Sequence, residues 1–353
     1  MKIIIRNCNV AELDIPLKYA TKLYNEFAIR HPNAFYLRTR QRGMQNWDGK
    51  IKYITKTGQF KIGLLPSVYK RCIELGIKPI IVDMRQPLPK VSKVVTQIGK
   101  YKLRPEQEKA VKAILSNKLG ETPFQIGVLD YTVNAGKTLI MSALYLSYKK
   151  QLKTLLITND SDWLNQARDE FKQYLPGEDI TFVQGKVLNW SNFTIGMVQS
   201  ISRNMKYYQN ELAKIDMVLI DEADQGGSKQ YQNVITRLFN TRVRIGLSGT
   251  IYMSKLAKDK VKNMNLRCFF GDVIAEFKLK DSIKKGYSTK TIVKTVEGKP
   301  WFGNWESDCM SYNEIYDDSI THNKIAWTMA LDRLKWNLNQ GRYPALVVCK
   351  HIA

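Results

Sequence analysis

Apolar and polar positions along this chain fall into two textures, with the change near Thr96. Before it the pattern is that of short half-buried strands. Asn46-Trp47-Asp48-Gly49 supplies hairpin-turn chemistry, 50–54 alternates polar with apolar, and Thr57-Gly58 turns the chain again into 59–65. These spacings predict a small β-meander. Pro66-Ser67 opens a helix to about Leu75 with Ser67 as its cap, and Ile80-Ile81-Val82 reads as a further strand. Residues 1–95 are therefore expected to form a small α+β domain, and 86–95, with Pro87 and Pro89, its linker.

From Thr96 onward, short wholly apolar runs alternate with helical spacing, which predicts a parallel sheet covered by helices. The expected strands are 126–129, 154–158, 194–198, 217–220 and 243–247, within a unit spanning 96–290. A helix from His322 to about Leu338 and the apolar run 343–349 predict a third section, 291–353, made of a linker and the first strand of another α/β unit.

Composition adds a partner class. Fifty-five Lys and Arg oppose thirty-two Asp and Glu, a formal charge of +23. Residues 1–95 hold eighteen Lys and Arg against six Asp and Glu, so about half of the surplus sits in about a quarter of the chain. A polyanion, nucleic acid first, is the partner such a field attracts; a basic protein kept soluble by its charge is the plainer alternative. Arg38, Arg40 and Arg42, two residues apart, are expected to line one face of a strand, with Lys50, Lys52 and Lys61 on neighbouring strands. The five cysteines are widely spaced without a CxxC pair, and no apolar stretch approaches the roughly eighteen residues of a membrane span. A cytoplasmic protein with reduced thiols and no membrane partner is expected.

The candidate chemistry starts at Asn134-Ala135-Gly136-Lys137-Thr138, which follows a predicted strand and opens a predicted helix. A triphosphate needs backbone N–H groups at a helix N-terminus, a lysine for the β and γ phosphates, and a hydroxyl for Mg²⁺; this run can supply all three. Tyr131 stands where the usual phosphate-loop pattern has its first glycine, and a chance Gly-Lys-Thr helix start is the alternative. The second signal is Asp221-Glu222 at the end of the apolar run 217–220. At the C-terminal end of a parallel strand, Asp221 is placed to hold Mg²⁺ and Glu222 to orient and deprotonate water. An acidic loop would account for the pair in isolation; the pair and the loop in one sheet point to ATP hydrolysis.

Asp221-Glu222-Ala223-Asp224 is identical to the DEAD signature, and the chain resembles the superfamily two helicases. That resemblance implies a RecA-like parallel-sheet lobe (a P-loop NTPase of α/β class) behind the small N-terminal DNA-binding domain. It also implies roles for further blocks in the family's order. Tyr101 to Gln107 resembles the adenine-reading block, with Gln107 for the base edge and Arg104 or Tyr101 for stacking. Thr158 and Asn159, with Gln199 and Ser200, sit where the family touches a DNA backbone without reading bases. Gly246-Leu247-Ser248-Gly249-Thr250 resembles the Ser-Ala-Thr block that couples ATP to DNA through Ser248 and Thr250, with Gly249 in place of Ala. Trp163 is expected in the core rather than as a stacking platform.

Trp47-Asp48-Gly49-Lys50 with 62–66, and the stretch from Phe269 through Tyr287, are similar to phage UvsW-type recombination helicases. This resemblance implies ATP-driven remodelling of branched or single-stranded DNA: forks, Holliday junctions, D-loops and R-loops. Lys350-His351 resembles the block opening the second lobe, so the chain is expected to stop where that lobe begins and to need a second-lobe polypeptide for its arginines. A non-catalytic ATP-gated DNA-binding module is the alternative. A restriction motor would need a nuclease or methyltransferase, for which no residue cluster is visible.

Overall fold

Residues 1–40, 43–91, 93–185, 187–252, 257–290 and 324–341 are described in a computed structural model. Met1–Thr289 form one compact unit and Lys290–Ala353 a second.

The chain begins with strands β1 (Lys2–Ile5) and β2 (Val10–Asp14), helix α1 (Leu17–Glu26), strand β3 (Ala28–Arg30), helix α2 (Ala34–Arg40), strands β4 (Lys50–Lys52) and β5 (Gln59–Lys61), helix α3 (Leu65–Glu74) and strand β6 (Ile80–Asp83). Four of these strands make a sheet in the order β5-β2-β1-β6. Ile3, Ile5, Ala11 and Leu13 alternate inward and are buried with Leu23, Val68 and Cys72 of the covering helices.

The predicted meander takes a different form. β4 pairs antiparallel with β3, through Arg30↔Lys50 and Ala28↔Lys52, while β5 joins the four-stranded sheet; a single bridge, Ile54↔Phe60, spans the Thr57-Gly58 turn. Residues 59–65 are strand only to Lys61 and then a 3₁₀ turn, Ile62–Leu64, which runs straight into α3. Ser67 is thus inside the helix and not its cap. Arg38 and Arg40 lie on helix α2, not on a strand, and Arg42 falls outside the described residues. Successive arginines two positions apart imitate a strand's period, but Ala34 is buried and Leu37 N–H donates to Asn33 O, so the segment coils. On a helix those arginines point to different sides.

The lobe follows with α4 (Pro105–Leu115), β7 (Ile126–Tyr131), α5 (Lys137–Ser147), β8 (Thr154–Thr158), α6 (Ser161–Tyr174), β9 (Ile180–Gln184), β10 (Val187–Leu188), β11 (Phe193–Met197), α7 (Val198–Arg203), α8 (Met205–Ala213), β12 (Met217–Asp221), α9 (Lys229–Ile235), β13 (Val243–Ser248), α10 (Ala257–Phe270), β14 (Val273–Phe277) and α11 (Leu279–Lys284). Its sheet runs β10-β9-β11-β8-β12-β13-β7-β14, parallel throughout except for the edge strand β10. This is the RecA-like α/β lobe. β7, β8, β12 and β13 are buried along their whole length, which is why their sequences are continuous apolar runs. Because these strands are parallel, the loops after them gather at one edge, where open α/β sheets bind ligands.

One hydrophobic cluster runs from Ile3 of the N-terminal sheet and Leu23 of α1 to Val128 and Ile220 of the lobe. Arg244 on β13, fully buried, joins the two sheets: Nη2 donates to Cys8 O at 2.9 Å and Asn9 Oδ1 at 2.7 Å, and Nη1 to Phe269 O at 3.3 Å. In the second unit, helix α12 (Lys324–Asn339) is described; the predicted strand 343–349 and Lys350-His351 lie outside the described residues.

Candidate active site

Residues 132–136 connect β7 to α5, and Gly136, at φ +72°, is the helix N-cap without a side-chain capping bond. The first-turn N–H groups of α5 thus have no side-chain acceptor from the cap, as an anion site requires. Gly136 is obligatory on two grounds. Its φ is left-handed, and a Cβ there would collide with Gln107 Nε2. Asn134, at φ +64°, is the loop's other left-handed residue, and Ala135 between them is buried. Tyr131, the departure from the phosphate-loop pattern, is the last residue of β7; its buried hydroxyl donates to Glu106 O at 2.8 Å.

Lys137 Nζ lies 3.8 Å from Asp221 Oδ1 and 3.9 Å from Glu222 Oε1, so the loop lysine and the carboxylate pair meet at the end of β12. Burial raises the Asp221 carboxyl above its ordinary range, against the opposing pull of Lys137. Glu222 is shifted the same way, again chiefly by desolvation. Glu222 is held at φ +50°, a left-handed backbone that a non-glycine residue adopts at a local cost of about 1–3 kcal/mol. Asp221 Oδ1 is buried without a hydrogen-bond partner. A hard cation would satisfy it, and Thr138 at the start of α5 offers the hydroxyl a Mg²⁺ shell uses. Among the described residues no cluster of three or more His, Cys, Asp or Glu is placed to hold a metal ion.

The block ahead of α4 buttresses the loop from behind. Gln107, 3% exposed, accepts from Arg104 N–H at 2.8 Å and donates Nε2 to Ala135 O at 2.9 Å. Arg104 Nη2 donates to Asn134 O at 3.1 Å, and its guanidinium lies 4.3 Å from the Tyr287 ring centre and pairs with Glu106. Lys285 holds the other oxygen of Glu106 at 2.8 Å. Tyr101 packs edge-on against Tyr174. Sequence reasoning did not anticipate Glu106, Lys285 and Tyr287, because the last two stand far along the chain from the Glu106 and Arg104 they hold.

The coupling block stands beside the carboxylates. Ser248, fully buried at the end of β13, donates to Asp224 Oδ1 at 3.0 Å and accepts from Thr250 N–H at 3.2 Å, while Thr250 is exposed. Gly249 has its own reason: an alanine Cβ would lie 3.2 Å from Thr132 Cα and 3.3 Å from Tyr131 O, tight against the phosphate-loop backbone.

The expected backbone-contact residues divide. Gln199 is half-buried and donates to Asn159 O at 3.4 Å, Asn159 in turn donates to Gln225, and Ser200 Oγ accepts from Gly185 N–H at 2.9 Å. Thr158 is corrected. It is 1% exposed and its hydroxyl accepts from Asp160 N–H, because it still belongs to the buried strand and supports the turn to α6. Trp163 is half-buried and packs on the core. Lys50 and Lys52 share a face of β4; Lys52 pairs with Asp48 at 3.1 Å, and Lys50 is exposed. Arg38 and Arg40 are exposed on α2.

The family described as the type III restriction enzyme res subunit matches residues 100–253, the span that holds the phosphate loop, the Asp221-Glu222 pair and Ser248. The ATP-dependent DNA helicase UvsW of Enterobacteria phage T4 is 23% identical over 272 residues, 71% of this chain and 51% of that protein. Its crystal structure superposes with a TM-score of 0.61 at 21% identity, over 78% of this chain and 100% of that one. The chain is similar to this helicase in sequence and shares its fold. A second UvsW structure gives a TM-score of 0.60 over 78% of this chain and 57% of that one. A mimivirus protein named as an ATP-dependent RNA helicase is 26% identical over 147 residues, 41% of this chain and 27% of that relative. The chain thus spans about half or less of the length of these curated relatives. Among the described residues no helix is long and apolar enough to cross a membrane.

Proposed function

We propose that this chain is the ATP-binding part of a DNA motor that remodels branched or single-stranded DNA in recombination, repair and replication, with residues 1–95 as its DNA-gripping module. The observation that carries the reading is the meeting of Lys137 with Asp221 and Glu222 at the end of one buried strand. The basic N-terminal segment and the likeness to UvsW support DNA as the polymer.

In this reading α5's N-terminal amides and Lys137 bind the β and γ phosphates, and Arg104 braces the loop that presents them. Thr138 and Asp221 would hold a Mg²⁺ ion, which would supply charge neutralisation. Glu222 orients the attacking water and takes its proton, for which its raised pKa is suited. Ser248 senses the carboxylate loop through Asp224, and Thr250, Gln199 and Ser200 face the DNA backbone. An arginine that stabilises the transferring phosphoryl group is worth about 10³ to 10⁵ in rate, and we assign it to a second-lobe polypeptide.

A second reading, a non-catalytic ATP-gated DNA-binding module, is favoured by Arg104. The arginine bonded to the phosphate loop is already committed to Asn134, Glu106 and Tyr287.

The test is ATP binding and hydrolysis with and without forked DNA, for this chain, Lys137→Ala and Glu222→Gln. DNA-stimulated turnover lost in both variants supports the motor. ATP binding lost in Lys137→Ala, with turnover at background even when a second-lobe polypeptide is added, supports the gated module. ATP binding that is absent, or unaffected by Lys137→Ala, sinks both. A forked RNA arm separates the polymers.

A further inference from the structure

We infer that the cavity where the N-terminal domain, its linker and the base of the lobe meet is a binding site for a small organic phosphate, a phosphate monoester carried on an apolar body. Asp216 stands directly before β12 and Arg242 directly before β13, and both line the cavity. It therefore lies at the opposite end of these strands from Asp221 and Glu222 and is separate from the ATP site. Its volume of about 580 Å³ is within the roughly 300–1,000 Å³ of small-molecule sites. Cys8 of the N-terminal domain, Met84 and Leu88 of the linker and Leu152 ahead of β8 share the wall, so an occupant would touch all three parts.

Charge says what the occupant is. Arg85 and Arg242, with side chains only 2% and 8% exposed, both line the cavity and share one carboxylate, Asp83, at 2.8 and 3.4 Å. Beside them the fully buried Arg244 bonds to neutral oxygens, those of Cys8 O, Asn9 Oδ1 and Phe269 O. Among the described residues, three buried guanidiniums thus stand against the one acid paired with them, a surplus of two. Arg85 Nη1, Arg242 Nε and Arg244 Nε are buried donors without an acceptor. Burial lowers the Arg242 and Arg244 guanidiniums, and Arg85 repels both. The other charges of the wall leave the surplus standing. Arg6 is paired with Glu12 and Lys214 with Glu211, while Asp216 accepts from Lys153 N–H at 3.0 Å and burial raises its carboxyl toward the neutral form.

Cations buried short of a counter-ion destabilise a fold, and a bound anion relieves them. A phosphate monoester carries about −1.5 to −2 at neutral pH and three acceptor oxygens, which matches both the surplus and the forked donors of arginine. A carboxylate, or a phosphodiester of DNA, brings a single charge. Met84 and Phe239 at the same cavity are 63% and 45% exposed, an apolar surface that a bare phosphate would leave uncovered.

The experiment is calorimetric titration of the full chain with thymidine 5′-monophosphate, thymidine and inorganic phosphate, repeated in Lys137→Ala, Arg242→Lys and Phe239→Ala, with hydrogen exchange to locate the site. Thymidylate is expected to bind saturably and alike in the parent and Lys137→Ala, and to slow exchange at 84–88 and 213–216. Arg242→Lys, which keeps a charge but loses the fork, is expected to weaken it about tenfold. Phe239→Ala is expected to weaken thymidylate about three- to tenfold and phosphate less than twofold. Phosphate should bind about tenfold more weakly than thymidylate, and thymidine not at all. Phe239 is exposed, so its variant is expected to fold and carries the test even where Arg242→Lys does not. A parent that binds neither thymidylate nor phosphate overturns the site, as does binding that is lost in Lys137→Ala or unchanged in both cavity variants. Phosphate binding as tight as thymidylate overturns the organic ligand in favour of the free ion, and thymidine binding as tight overturns the phosphate head. Thymidylate displaced by an unphosphorylated oligonucleotide at equal phosphate concentration overturns the site in favour of a DNA path.

Discussion

Ser248 donates its hydroxyl proton to Asp224 across a 3.0 Å hydrogen bond, tying the end of β13 to the acidic loop after β12. Through Thr250 N–H, which donates to the same hydroxyl, the exposed coupling loop feels any movement of that carboxylate. Ser248→Ala should leave ATP affinity within about twofold and reduce DNA-stimulated turnover about tenfold. The cost to stability should be about 1–2 kcal/mol, the price of one buried hydrogen bond to a charged acceptor. Steady-state ATPase titrated with DNA, beside urea unfolding, checks both; equal loss of basal and stimulated rates would contradict a coupling role.

Gly136→Ala should cost more in binding than in folding. The added Cβ meets Gln107 Nε2 and forces a left-handed φ on a residue that resists it. ATP affinity is expected to fall more than tenfold, while stability drops by about 1–2 kcal/mol. Fluorescent-nucleotide titration with thermal melting decides; wild-type affinity would show that the loop relaxes freely.

Arg244→Ala removes a fully buried side chain and leaves Cys8 O, Asn9 Oδ1 and Phe269 O without their donor. A loss of about 3 kcal/mol is expected from the cavity and the orphaned acceptors together. Hydrogen exchange should accelerate in Lys2–Ile5 and Val10–Asp14 ahead of the lobe's central strands. Uniform acceleration would mean that Arg244 does not join the two sheets.

Cys8, Cys72 and Cys268 are buried free thiols. Desolvation raises all three, Cys72 to about 11 and Cys268 to about 12, so thiolate is scarce at neutral pH. Peptide mapping after alkylation at pH 8 should find these positions unmodified in the native protein and modified in denaturant. Rapid native labelling of Cys72 would contradict the packing of α3.

The central strands were legible because burial on both faces writes a continuous apolar run, as in 154–158, and the error there is at most a residue or two at either end. β1 was passed over because Ile3-Ile4-Ile5 is too short to declare a period, and β9 and β14 because their runs are broken by polar residues. The phosphate loop and the carboxylates were legible since their chemistry is local in sequence. What braces them was not. Lys285 and Tyr287 meet Glu106 and Arg104 through tertiary packing, and nothing in Val243-Arg244-Ile245 announces a wholly buried guanidinium. Arg38 and Arg40 misled because a period of two in charge resembles a strand where apolar spacing is the better guide.

Gly63 lies against α10 so closely that a side chain there would strike Arg267 O and Cys268 O, and Tyr53 OH donates to Asn265 Oδ1 at 3.0 Å on the same helix. With Arg244 bonded to Cys8 O and Asn9 Oδ1 on the other side, the N-terminal sheet is held to the lobe at both places. If the proposed ATP cycle turns the lobe, these contacts are expected to carry the N-terminal sheet with it as one body.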